Sequence, residues 1–512
     1  MSIRQDADTS ARSKTIAKNT GALYLRMVVL MVVTLYTSRV VLRQLGIVDF
    51  GINNVVAGFV SILAFFTSGL SNATQRYLSL GIGQGNDSNT RLYFRQSLSL
   101  LLVFAVVLVV VAETLGLWLV YTQLSIPPER FGAAVWTYQF AIVSMVCSVL
   151  QVAFLSDIIA NERMGMYAYI GLFEAFARLA IAYLLSIGTG DKLIFFAFLS
   201  AAVSVFTLGI YVVYTRRSFA ECRMGWVWSS GLVREMLAFI GSTLFGCMAW
   251  SVGNQGMNVI LNIFFGPVVN AARGIAVQVS AAIDRFSSSL ITASAPQIIK
   301  SYAEHNSPYM IGIIEKVSKF SFFLSCTLAL PILWQTGFIL RVWLGEVPSY
   351  AIVFTQLMVA DSLINVFAQP LTIAANATGH IRGVQIYGRC ITLLSLPVGY
   401  GVLALSGDAV MAFYVILAAD VLYWGYCLGC VHRLIGMEIS HYLRGALGPS
   451  AVFFVAAMAV CWCVRQIVSP GGWGSVAVMT ASSVVACVLI GYLLLSRAER
   501  QFVTDFVRRK TK

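Results

Sequence analysis

Apolar residues run along this chain in long blocks, separated by short bursts of charge, Gly, Pro and Asn. LLVFAVVLVVVA (101–112) and the stretch from Ala446 to Val464 approach or reach the roughly 20 apolar residues a helix needs to cross about 30 Å of hydrocarbon. Cutting at the polar bursts gives spans near 20–42, 52–74, 97–120, 133–154, 168–187, 193–214, 235–262, 269–293, 317–340, 350–372, 385–405, 409–430, 446–466 and 474–495. The pattern predicts an all-α polytopic membrane protein with about 14 transmembrane helices. A β-barrel would show short alternating segments instead.

Composition agrees. Of 512 residues, 58% are hydrophobic and 11% charged, whereas a soluble domain is nearer to about 25% charged. The tail before the first span holds Arg4, Arg12, Lys14 and Lys18, and no small-residue cleavage site follows that span. It is therefore expected to be retained and not removed as a signal peptide. Positively charged loops stay in the cytoplasm. With the N-terminus inside, 24 of the 35 Lys and Arg fall on the cytoplasmic side, including Arg216, Arg217, Arg223 and Arg234 in one loop. The outer loops hold Arg39, Arg43, Arg130, Lys192, Arg341 and Arg465, while Arg26, Arg76, Arg178, Arg273 and Arg285 lie within or at the edge of spans. Both termini are thus expected in the cytoplasm. The formal charge of +13 reads as a topology signal with some attraction to membrane lipids, and no nucleic-acid partner is expected. The ten cysteines fall almost entirely within spans and read as small apolar packing residues. His305, His380, His432 and His441 have no metal-ligand spacing, so no metal site is expected.

No loop exceeds about twenty residues, which leaves no extramembrane domain for separate chemistry. Shifting the chain by 220 residues brings Gly46 onto Gly266, FTSGLSNAT (66–74) onto FSSSLITAS (286–294) and Asn86 onto Asn306 without a gap. The expected organisation is a cytoplasmic tail (1–19), an N-terminal six-helix lobe (20–215), a cytoplasmic linker (216–234), a second six-helix lobe (235–430), two further helices (431–495) and a basic cytoplasmic tail (496–512). Two such parallel repeats can rock about a shared site, which is the basis of an alternating-access carrier.

Charge inside the membrane is what locates that site. A central Arg or Asp adds about 2.5–3.5 kcal/mol to insertion, against about −0.3 to −0.6 kcal/mol for each large aliphatic. The eighth span carries Arg273, Asp284 and Arg285 among many Ala and Ser, so it is expected to line the bundle interior or a wet cavity. Arg273 and Asp284, eleven residues apart, share an azimuth within about 20°, whereas adjacent Asp284 and Arg285 diverge by about 100° and pair poorly. Arg26 lies in the first span, Glu113 in the third, Glu174 and Arg178 in the fifth, Asp361 in the tenth and Asp420 in the twelfth. Glu174 and Arg178 have the i, i+4 spacing and orientation of an internal ion pair. Asp361 or Asp420 is expected either to bridge to an arginine or to serve charge balance and coupling, together with Asp284, Glu113, Glu174 and Arg178. In the seventh span SVGNQGMN (251–258) contributes Asn254, Gln255 and Asn258, which either pack helices or hydrogen-bond a sugar. Interior arginines favour an anionic ligand, because the guanidinium fork takes two phosphate oxygens.

SRVVLRQLGIVDFGINNVVAGFVSILAFFTSGLSNATQRYLS (38–79) resembles the N-terminal region of bacterial polysaccharide-biosynthesis flippases for O-antigen and exopolysaccharide. These share a superfamily with the multidrug and toxin extrusion carriers and the lipid II flippase. Leu45, Gly46, Asp49, Phe50, Gly51, Asn54, Val55 and Val56 carry the most specific part, followed by Ala73, Thr74, Gln75 and Arg76. The resemblance implies two six-helix lobes and translocation of an undecaprenyl-diphosphate-linked oligosaccharide across the bacterial inner membrane for surface polysaccharide. It implies no catalysis and no organic cofactor. Na⁺, H⁺ or the membrane potential is the expected driving force, and polysaccharide-assembly proteins are the expected partners. Arg26, Arg273 and Arg285 match the central arginines of such flippases by depth, and with Asn254, Gln255 and Asn258 they form the expected substrate-binding set. A multidrug or cation efflux carrier is the first alternative, kept by the five intramembrane acids. A membrane-embedded polymerase or ligase is the second, but the longest outer connection, YTQLSIPPER (121–130), is short and has no His.

Overall fold

Each polar burst becomes a helix end or a break in a helix. The computed structural model describes residues 2–63, 65–83, 87–161, 163–187, 190–222, 225–304, 306–378, 383–467, 472–495 and 500. The helices in chain order are α1 (Ser2–Leu63), α2 (Phe65–Gly83), α3 (Asp87–Val111), α4 (Leu117–Thr122), α5 (Phe131–Ala160), α6 (Met164–Leu184), α7 (Lys192–Ser218) and α8 (Ser230–Phe265). They continue with α9 (Pro267–Ala303), α10 (Ser307–Leu344), α11 (Ala351–Ala377), α12 (Arg389–Ser406), α13 (Met411–Ile435), α14 (Ile439–Tyr442), α15 (Gly448–Ile467) and α16 (Trp473–Leu493). Widened π turns at Ala112–Gly116, Gly383–Gly388 and Leu443–Leu447 lead into α4, α12 and α15, and no strand occurs among the described residues. Eleven helical stretches among the described residues are long and apolar enough to cross a membrane. The three other expected spans fall on the ends of α1 and α2 (52–63 and 65–74), on α8 (235–262) and on α9 (269–293).

Gly46 interrupts α1 with φ 80° and ψ 170°, and Gly266 separates α8 from α9 with φ 74° and ψ −172°. That corner of backbone space is essentially closed to residues with a Cβ. The two glycines brought together by the 220-residue shift thus have the same conformation, and each ends one membrane helix and starts the next.

Backbone contacts group into two compact units, Met1–Ala271 and Ala272–Lys512. In the first, α5 packs against α2, α3 and α7, and its buried Phe154 meets Phe94 of α3 edge to face at 5.6 Å. α8 packs on α1 and α2 within this unit, so the contacts divide inside α9 and not at the 216–234 linker. In the second unit α11 and α13 pack together through Phe354 and Phe413, with ring centroids 4.1 Å apart. The appended α15 and α16 pack on α10 through stacked Phe323 and Phe453 and through a 3.2 Å hydrogen bond from Gln335 to Ser475.

Candidate functional site

Three polar clusters stand out from the apolar packing. The first explains the motif at 45–51. Asp49, three residues after the Gly46 break, accepts from Arg130 Nε at 2.7 Å and also meets Arg130 Nη2. Arg130 turns its other face to Asp191, with Nη1 to Oδ2 at 2.6 Å and Nη2 to Oδ1 at 3.0 Å. Asp191 caps α7 by accepting from the Leu193 and Ile194 amides. Partial burial pushes the Asp191 carboxyl up, but the Arg130 guanidinium and the two amides outweigh this and hold it below the usual carboxylate range. One arginine therefore ties the α1 break to the starts of α5 and α7.

The second cluster lies beside the first glycine's repeat partner. Asn54 of α1 donates to the Asn270 carbonyl at 3.1 Å, and Asn258 of α8 donates to the Asn54 carbonyl at 3.2 Å. The Asn270 amide donates to both the carbonyl and the side-chain oxygen of Asn258 at 2.7 Å, and Asn262 donates to Asn270 Oδ1 at 2.8 Å. Ser125, in the connection between α4 and α5, closes the set by donating its backbone N–H to Asn262 Oδ1 at 2.9 Å. Asn258, Asn262 and Asn270 are buried. Gly51 approaches the Pro267 carbonyl so closely that a Cβ there would overlap it.

The third cluster belongs to the second unit. The Asp284 carboxyl of α9 interacts with the Ser362 hydroxyl of α11. One turn along α11, Asn365 Nδ2 donates to Asp361 Oδ2 at 3.1 Å and to Asp420 Oδ2 of α13 at 3.2 Å. Asp361 interacts electrostatically with both Asp420 and Asp284, and its Oδ1 is buried with no hydrogen-bond partner among the described residues. Neither Asp361 nor Asp420 forms an ion pair with an arginine among the described residues. An amide shared between two acids stands where an arginine bridge was expected.

The predicted residues are thus dispersed. Arg273 is 4% exposed, Asp284 is half-buried and Arg285 is exposed, all on α9. A ligand reaches Arg273 only after its neighbours move. Glu174 and Arg178 form the expected i, i+4 pair at 2.8 Å, both well exposed. Glu113 accepts from Gln139 at 3.2 Å. Asn258 spends its amide on other helices, and Gln255 lies against Gly58 of α1, a helix-packing arrangement. Asn254 is half-buried on α8, and the Arg26 side chain lies outside the described residues. Sequence reasoning missed Asn262 and Asn270, although Asn254, Asn258 and Asn262 mark one helical stripe. It also read Arg130 as loop charge, when two carboxylates hold it.

No family model matches the chain, and neither does any curated protein. Solved structures do. Lipid II flippase MurJ in an inward closed conformation superposes with a TM-score of 0.70 at 10% identity, over 94% of this chain and 99% of that one. An inward-facing multidrug resistance MATE family transporter of the MOP superfamily gives 0.66 at 12% identity, over 80% of this chain and 94% of that one. A MOP superfamily transporter from Pyrococcus furiosus Vc1, with a binding pocket of reverse polarity, gives 0.56 at 13% identity over 81% of this chain and 95% of that one. The chain therefore has the multi-pass membrane fold shared by the MATE transporters and MurJ.

Proposed function

We propose that this protein is a flippase that moves an undecaprenyl-diphosphate-linked oligosaccharide across the bacterial inner membrane by alternating access, making and breaking no covalent bond. The observation that carries the proposal is α9, a membrane-length helix that holds a buried Arg273 and an exposed Arg285 within one bundle. Arginine at membrane depth is expensive and persists where it meets an anion or water. The reach of the MurJ-like fold supports the same cargo class: it takes in 94% of the chain, against 80% for the MATE transporter, a difference about the length of the appended α14 to α16.

Coupling is assigned to the acids of the second unit. Three carboxylates on neighbouring helices repel one another unless a proton or a monovalent cation is shared among them. Asp284, Asp361 and Asp420 with the Asn365 and Ser362 side chains offer an all-oxygen donor set, and the unsatisfied Asp361 Oδ1 fits such an ion. Na⁺ or H⁺ would be held there, neutralising the cluster during one half of the cycle.

The test is a deletion strain complemented with Arg273→Ala or Arg285→Ala. Surface polysaccharide is expected to disappear and the lipid-linked oligosaccharide to accumulate on the cytoplasmic face, with the variants at wild-type level in the membrane. Normal polymer from both single variants would remove the arginines from the cargo path. The acid cluster also favours a second reading, efflux of an organic cation. Ethidium export that depends on Asp361, with unchanged surface polymer in the deletion strain, would decide for it.

A further inference from the structure

Arg389 opens α12 immediately after the π turn Gly383–Gly388. That turn is pinned to α13: the Tyr426 hydroxyl donates to the Gly383 carbonyl at 3.2 Å, and a Cβ on Gly388 would stand 3.0 Å from the Tyr423 ring and 3.2 Å from the Tyr426 ring. A π turn inserts an extra residue and so re-aims the side chains that follow it, and such turns recur at functional sites. Here it lays the Arg389 guanidinium over the face of Tyr423, 4.4 Å from the ring centroid. Tyr423 is itself buried, and its hydroxyl is within 3.3 Å of Thr372 Oγ1.

The cation is thus held inward against α13. An arginine that merely relieves its own insertion cost extends along the helix toward the headgroups. Its charge also stays unanswered. Arg389 makes no ion pair and no hydrogen bond among the described residues, and its Nε is buried without an acceptor. The ring face meets the charge but accepts from none of the five N–H donors.

Depth narrows the ligand. Arg389 lies six residues into the stretch Gly383–Ser406, about 9 Å along its axis and so near one end of the span. The charge pattern of the loops assigns that end to the cytoplasm. We propose that Arg389, stacked on Tyr423, is a phosphate-binding residue that takes the diphosphate of the lipid carrier as it enters from the cytoplasmic leaflet. A planar fork fixed by stacking suits two phosphate oxygens, and a lysine would not reproduce it. The inference rests on the flippase reading and adds to it an entry point that the α9 arginines do not supply.

Full-length protein in lipid nanodiscs would be titrated with undecaprenyl diphosphate, with undecaprenol as the phosphate-free control and phosphatidylglycerol as the ordinary headgroup. Arg389→Gln is expected to weaken undecaprenyl diphosphate binding by about tenfold to a hundredfold, the usual worth of a hydrogen bond to a charged group, and to leave undecaprenol unchanged. Arg389→Lys is expected to fall between. If the Gln variant does not reach the membrane, the Lys variant decides alone, since wild-type affinity in it would remove the need for a guanidinium. Unchanged diphosphate binding in Arg389→Gln overturns the inference and leaves the flippase intact. Equal losses of phosphatidylglycerol and undecaprenyl diphosphate assign the site to bulk headgroups and overturn the carrier assignment. A wild-type protein that binds no undecaprenyl diphosphate overturns the flippase reading itself.

Discussion

Asn270→Ala is the substitution that best measures what the asparagine cluster contributes. It deletes three hydrogen bonds at once: two from the Asn270 amide to Asn258 and one accepted from Asn262. Asn258 keeps its bond to the Asn54 carbonyl and Asn262 its bond from Ser125, so two groups are left stranded, Asn258 Oδ1 and one N–H of Asn262. At about 1 kcal/mol for each stranded group the loss is about 2 kcal/mol. Counting three interhelical bonds at about 0.6 kcal/mol each, the mean found in membrane bundles, gives nearly the same figure. Such a loss is roughly a thirtyfold change in the unfolding equilibrium. Unfolding by SDS titration in mixed micelles would read it. Asn270→Asp makes the reasoning sharper. It keeps the acceptor for Asn262 but sets a buried carboxylate against the Asn258 oxygens, so it is expected to be worse than Ala at neutral pH and to recover partly on acidification, when the carboxyl regains a proton to donate. Wild-type stability in Asn270→Ala, or an Asp variant no worse than Ala, would show that the cluster holds nothing.

Two further outcomes follow from groups outside the spans. The Asp191 carboxyl is held low by Arg130 and two backbone amides, so what it contributes is present above the ordinary carboxylate pKa of about 4 and is lost as pH falls through its lower folded value. Opening of the 123–130 connection, followed by hydrogen exchange, is expected to begin only below about pH 4, and Asp191→Asn is expected to show that opening already at neutral pH. Burial first, and then the Asp157 charge and hydrogen bond, push the Cys222 thiol well above its usual range; the thiol donates to Asp157 Oδ2 at 2.8 Å. Maleimide labelling of Cys222 at pH 7.5 is expected to be at least about tenfold slower in the native protein than in the unfolded chain, and Asp157→Asn is expected to speed it. Equal labelling rates would contradict the contact.

Much of the fold was legible because its signals are local. Runs of apolar residues gave the helices, and the 220-residue shift paired two glycines that share one backbone conformation. The i, i+4 spacing of Glu174 and Arg178 gave a pair that the structure contains. The clusters were less legible because their partners are far apart along the chain. Nothing near Arg130 in the sequence points to Asp49 or Asp191, 81 and 61 residues away. The arginine expected for Asp361 and Asp420 was a matter of charge balance, and an amide 4 residues from one acid and 55 from the other took its place. Arg389 was hidden for a different reason: its position near a span end counted it with the cytoplasmic charges, and only the π turn reveals that it faces inward.

The asparagine cluster and the charged residues on α11 and α12 differ in whether they are satisfied. The asparagines of the first unit form a closed set: each buried one both donates and accepts, and adding a ligand would require breaking bonds already made. Amides of this kind fix helix positions without charge and need no partner from outside. In the second unit, Asp361 Oδ1 and Arg389 Nε are among the buried atoms that have no hydrogen-bond partner among the described residues, and a buried polar atom left in that state asks for an explanation beyond stability. One is a negative group suited to a small cation, the other a positive group suited to a phosphate, and they stand on α11 and α12, consecutive helices that both pack on α13. α13 carries the partners of both, Asp420 for the acid and Tyr423 for the arginine, three residues apart and so on nearly the same face. On the proposed reading, a shift of α13 that exchanged an ion at Asp361 and Asp420 would also move the ring under Arg389, and so would couple ion binding mechanically to the proposed phosphate site.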